Sequence, residues 1–201
     1  MFSSTQTLPD DYTQTDEINL AKNKGLAILL NIVGLFISIL AFALLLIYAN
    51  WAHPGSIPDR LPLKTDPSMI GQLLALIVFV SLNLIVHELI HGFFFWYFTR
   101  SRPVYALHLA YAYAAAPGWF IPIRQYWIIG LAPLVLIDAA SLLLIMIAPI
   151  NWLLTLAFLA AFNTGGAVGD LWIIFRLLRR SPKCLVKDVG DSVSFYEPVP
   201  A

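Results

Sequence analysis

The 201-residue chain is 59% hydrophobic and only 12% charged, with a mean hydropathy of +0.77. Soluble domains carry about 25% charged residues, so this composition excludes an ordinary soluble enzyme and indicates an integral membrane protein without room for a large soluble domain. The formal net charge is zero, so nothing in the charge points to nucleic acid, and the single cysteine, Cys184, excludes an internal disulfide.

Taken in order, residues 1–24 read as a flexible polar cytoplasmic tail with little to bury. Asp10, Asp11, Asp16 and Glu17 are the wrong opening for a cleavable signal peptide, so the first span is expected to serve as an uncleaved anchor. That span, Gly25 to Ala49, is free of charge and long enough to cross a core of about 30 Å. Residues 50–69 hold Pro54, Pro58, Pro62 and Pro67 and are expected to be a loop, with His53 exposed in it and unpartnered. The second span, Ile70 to Phe98, closes on six consecutive aromatic residues, Phe93 to Phe98, which suit a membrane–water boundary.

Residues 99–125 are broken by Pro103, Pro117, Gly118 and Pro122. Within them Leu107, Leu109, Tyr111 and Tyr113 alternate with Ala106, His108, Ala110 and Ala112, a period of two that argues for extended chain. A re-entrant or interfacial hairpin fits this, as does an irregular loop on the headgroups, with His108 a satisfied interfacial histidine. The third span, about 126–148, contains Pro133, which should kink it, and the carboxylate Asp138. The fourth, about 151–178, holds Asn163, Gly165, Gly166, Gly169 and Asp170 and ends on Arg176, Arg179 and Arg180. Residues 181–201 read as a short polar tail. The expected fold class is therefore an all-α integral membrane protein of four transmembrane helices, with a hairpin between the second and third.

Four spans put both termini on one side. If that side is the cytoplasm, Lys22, Lys24, Arg100, Arg102, Arg124, Arg176, Arg179, Arg180, Lys183 and Lys187 are inside, leaving only Arg60 and Lys64 of the 12 basic residues outside. This asymmetry orients the chain as a multi-pass protein of the plasma membrane with both termini cytoplasmic.

The chemistry is carried by His87-Glu88-Leu89-Ile90-His91 in the second span. On a helix, i and i+4 place both imidazoles on one face, at a separation that suits one Zn²⁺, and the adjacent Glu88 is placed to act as a general base. With 4 histidines in the chain, a chance match is expected on the order of once per thousand such chains. Ionisable groups at membrane depth are functional candidates by default, although polar side chains also snorkel or bond between helices.

A catalytic zinc usually takes three protein ligands. At 1.5 Å per residue, His91 and His87 lie about 10 and 16 Å from the end of their span, Asp170 about 12 Å and Asp138 about 18 Å from theirs. Both carboxylates are candidates by depth. Asp170 is favoured because the preceding glycines allow close helix approach. Asp138 is left as the alternative ligand, or as a partner for a group standing behind the ligands or for a ligand's free ring nitrogen. Asn163, seven residues before Asp170, could bind substrate backbone or a developing oxyanion, or simply bond between helices.

The segment His87 to Gly92, followed by Asn163-Thr164-Gly165-Gly166-Ala167-Val168-Gly169-Asp170, resembles the site-2 protease type of intramembrane zinc metalloprotease. It resembles more closely a family of small four-span membrane proteins described as zincin peptidases, over about residues 70 to 196. Gly166 and Leu171 stand where the site-2 pattern usually has Pro and Gly. The resemblance implies metal ligands His87, His91 and Asp170, a catalytic Glu88, an Asn163 at the active site, and a substrate-docking edge after the motif helix. The expected function is zinc-dependent hydrolysis of a peptide bond in or near a transmembrane segment of a membrane protein or peptide. The alternative is a non-proteolytic zinc-binding scaffold or pseudoprotease.

Overall fold

A computed structural model describes residues 3–55, 68–107 and 112–199. His108, and the loop prolines Pro58, Pro62 and Pro67 with Arg60 and Lys64, lie outside the described residues. Four helical segments are long and apolar enough to cross a membrane. They are α1 (Lys24–Ala52), α2 (Ser68–Thr99), α3 (Ile123–Ile147), and α4 (Ile150–Gly166) continued by α5 (Val168–Leu177). The shortest of these segments has 25 residues, about 37 Å of helix against a hydrocarbon core of about 30 Å. Their outward faces carry large exposed side chains, among them Phe36, Leu40, Ile47, Leu82 and Leu143, as lipid contact requires.

The chain is not all-α. β1 (Tyr12–Asn19), β4 (Ile121–Pro122), β5 (Leu185–Asp188) and β6 (Ser192–Pro198) form an antiparallel sheet in the order β1-β6-β5-β4. Both terminal tails thus contribute strands where a flexible tail and a short polar tail were expected. The reason is visible along β6, where Val193 and Phe195 alternate with Ser192, Ser194 and Tyr196 and bury one face. Gly190, at φ 93°, makes the turn between β5 and β6. β1 is polar because it is an edge strand, yet it buries Tyr12 and Ile18. At its bulge Asp16 pairs with Arg176 of α5 and with Arg180 just beyond.

β2 (Val104–Leu107) and β3 (Ala112–Ala115) form the hairpin between α2 and α3, with Val104 opposite Ala115 and Leu107 opposite Ala112. The main apolar core joins the sheet to the helix ends beside it: Ile121, Val186 and Phe195 pack with Phe95, Ile129, Ile174 and Leu177. His53 is not exposed. It follows α1 and its Nε2 lies 2.8 Å from the Ile145 carbonyl, so it ties α1 to α3.

The tightest helix crossing joins α1 to α4. A Cβ on Gly34 would lie 2.7 Å from the Gly165 carbonyl oxygen, and one on Gly165 would lie 1.9 Å from Ser38 Oγ. Gly166 and Gly169 have open space at the same position. Of the glycines before Asp170, Gly165 thus allows a close helix approach, and the helix it admits is α1 rather than the histidine helix.

Candidate metal centre

α2 holds His87 and His91 one turn apart, with ring centroids 4.9 Å from each other. Both are buried, at 7% and 6% exposure. The fourth span is interrupted at Ala167, which ends α4 and starts α5. Asp170 thereby falls in the first turn of α5, where the helix dipole favours a carboxylate. Its two oxygens reach both rings: Oδ2 is 3.2 Å from His87 Nε2, and Oδ1 is 3.4 Å from His91 Nε2. Ligand atoms of His87, His91 and Asp170 all lie within 4.8 Å of one another, so the three could hold a metal ion.

Whether the site suits zinc depends on which ring nitrogens are free. His91 Nδ1 lies 2.9 Å from the Ile129 carbonyl and must donate to it, which leaves the Nε2 lone pair facing Asp170. That carbonyl lacks its usual helical donor because residue i+4 is Pro133. The proline expected to kink α3 thus also releases an acceptor for His91. His87 Nδ1 lies 2.9 Å from Asn163 Oδ1. Two nitrogen donors and a carboxylate are an ordinary zinc set, and backbone or side-chain acceptors on the far ring nitrogens are its usual support.

Glu88 is beside the rings. Its Oε2 is buried without a hydrogen-bond partner, while the Ala114 backbone N–H of β3 faces the carboxylate. Such an orphaned oxygen suits a water or substrate group that arrives with function. The other strand of the hairpin, β2, packs on the same helix at Gly92: a Cβ at that position would sit 1.9 Å from the Tyr105 hydroxyl.

Asn163 faces two other side chains. It is 2% exposed, with Oδ1 on His87 and Nδ2 2.8 Å from Asp138 Oδ1. The interhelical alternative describes these bonds, and the amide hydrogens that an oxyanion would need are turned toward Asp138. Asp138 is likewise taken up, its Oδ2 being 2.8 Å from Thr164 Oγ1, and it stands apart from the three-residue group.

A cavity of about 90 Å³ opens beside Glu88, His91 and Asp170. Tyr126 and Asp188 also line it and were not singled out in the sequence, since only the folded sheet brings them there. The Tyr126 hydroxyl donates to Asp188 Oδ2 at 2.5 Å, and the Gly190 N–H caps Oδ1 at 2.8 Å. Burial pushes the Asp188 carboxyl up to about 6, against the pull of these two donors. Cys184 is remote from the group, and its thiol is pushed up to about 12 by burial.

No curated protein and no solved structure matches the chain. A sequence model of the family described as "Putative zincin peptidase" matches residues 72–185, which is 114 residues and more than half of the 201. That stretch contains the histidine pair, Glu88 and Asp170, and zinc is the metal the family implies. The chain belongs to this zincin peptidase family.

Proposed function

We propose that this protein is a zinc-dependent intramembrane endopeptidase that cleaves a membrane protein or peptide in or near a transmembrane segment. The observation that carries this reading is the convergence of His87 Nε2, His91 Nε2 and the Asp170 carboxylate, with the unpartnered Glu88 Oε2 beside them. His87, His91 and Asp170 would hold the ion. Zinc, when bound, supplies a Lewis acid that makes water nucleophilic near neutral pH.

The chain's own groups do the rest. Glu88 takes the proton of the attacking water as its oxygen bonds to the scissile carbonyl carbon, then delivers that proton to the amide nitrogen as the C–N bond breaks. A helical substrate hides its carbonyls in hydrogen bonds, so it must become extended first. β3 supports such a state: it pairs with β2, and its Ala112, Tyr113 and Ala114 line the cavity. Ten of the twelve Lys and Arg residues lie at the sheet end of the helices or in the segments joined to it, which favours a plasma-membrane protein with both termini and the sheet in the cytoplasm. Cleavage would then fall in the cytoplasmic half of the substrate span.

The test is a cleavage assay in proteoliposomes containing a panel of single-span substrates. Wild type is expected to release product, and Glu88→Gln to keep its zinc while losing about 10²- to 10⁴-fold in rate. Equal cleavage by Glu88→Gln rejects the mechanism. Zinc-loaded wild type that cleaves none of the panel rejects endopeptidase action on such segments.

A further inference from the structure

We propose that Asp138, acting through Asn163, sets which nitrogen of His87 faces the metal position. The inference rests on the reading of His87 as a metal ligand, and it makes Asp138 and Asn163 positioning residues.

An asparagine amide has one donor end and one acceptor end. Asn163 Nδ2 lies 2.8 Å from Asp138 Oδ1, and Asn163 Oδ1 lies 2.9 Å from His87 Nδ1. Turned over, the amide oxygen would face a carboxyl oxygen, two acceptors with no proton between them. Thr164 Oγ1 donates to Oδ2 at 2.8 Å, so the carboxylate is held as an acceptor on both oxygens. The direction of the amide is therefore set by Asp138.

The direction of the amide sets the ring. With Asn163 Oδ1 facing it, His87 Nδ1 must carry the hydrogen. A neutral imidazole has only one, so Nε2 keeps its lone pair for a metal ion shared with Asp170, whose Oδ2 lies 3.2 Å off. Asn163 and His87 are both buried, so no bulk water can stand in for a missing partner. His91 gains the same tautomer from the Ile129 carbonyl, a backbone acceptor that cannot turn over. Only His87 depends on side chains for its orientation.

Zinc affinity of the purified full-length protein, measured by competition with a chromophoric chelator, tests the relay. In Asp138→Asn no carboxylate fixes the Asn163 amide: Thr164 Oγ1 also lies 2.9 Å from the Ala160 carbonyl, so the new side chain can turn either end to Asn163. The central amide is then free to turn over and present a donor to His87, which puts the hydrogen on Nε2. Zinc affinity is expected to fall about 10- to 100-fold. The exchanged pair Asp138→Asn with Asn163→Asp places a carboxylate directly against Nδ1–H and is expected to return affinity to within about threefold of wild type. A merely structural role for Asp138 predicts no such rescue.

Wild-type affinity in Asp138→Asn overturns the proposal. So does a folded exchanged pair that binds no more tightly than the single variant. Should Asp138→Asn fail to fold, ¹⁵N shifts of the His87 ring in the zinc-loaded wild type decide: hydrogen on Nδ1 is expected, and hydrogen on Nε2 overturns the proposal. These readouts are metal affinity and tautomer. A chain that binds zinc with this signature yet cleaves nothing counts against the peptidase reading and leaves the relay standing.

Discussion

Two imidazoles one helical turn apart were legible from their spacing alone, and the depth of Asp170 placed it between them before any fold was known. What the residues next to them do was not legible, because it depends on which ring nitrogen meets which acceptor. Asn163 shows this: seven residues before Asp170 it shares a helical face, yet His87 takes its oxygen and Asp138 its amide hydrogens. Pro133 shows it too. A proline in a span reads as a kink, but here it also frees the Ile129 carbonyl for His91. Pro133→Ala restores an N–H that competes for that oxygen. Zinc affinity by chelator competition is expected to fall about threefold to tenfold, through looser support of the ligand ring. An unchanged value would mean that the carbonyl's second lone pair serves both donors.

At the level of elements, apolar runs announced the four spans, and the alternation that takes in Ala106, Leu107, Ala112 and Tyr113 announced extended chain at those residues. The partner of a glycine-rich stretch is a different kind of fact. Gly165 meets Gly34 and Ser38 of α1, and nothing local in the sequence says so. Gly165→Ala would place a Cβ 2.4 Å from the Gly34 carbonyl oxygen, so α1 and α4 must separate. A loss of about 1–3 kcal/mol is expected, read as a lower unfolding temperature in detergent. Gly166→Ala meets nothing within 4 Å and is expected to shift stability by under about 1 kcal/mol. Equal effects at the two positions would place the close crossing elsewhere.

For the whole molecule, the sheet is what the sequence concealed. β1 and β6 are separated by the entire membrane domain, so their pairing is a long-range event, and the charged residues of both tails masked short alternating runs. The sheet also brings Asp188 to the cavity. Its ordinary value of 3.8 rises to about 6 in the fold, chiefly through burial. Between those values the native state holds a proton that the unfolded chain has released, so stability falls as pH rises from about 4 to about 6 and is level above. Asp188→Asn lacks this dependence. The difference in unfolding temperature between wild type and variant is expected to move in the variant's favour across that interval, and parallel profiles would refute it. The central claim, that His87, His91 and Asp170 form one zinc centre, is tested most directly by zinc K-edge absorption on the purified protein. The account predicts imidazole nitrogens at about 2.0–2.1 Å and carboxylate oxygen at about 2.0–2.2 Å, with the metal bound weakly or lost in Asp170→Ala. Absence of imidazole scattering, sulfur at about 2.3 Å, or an unaltered spectrum in Asp170→Ala would contradict it.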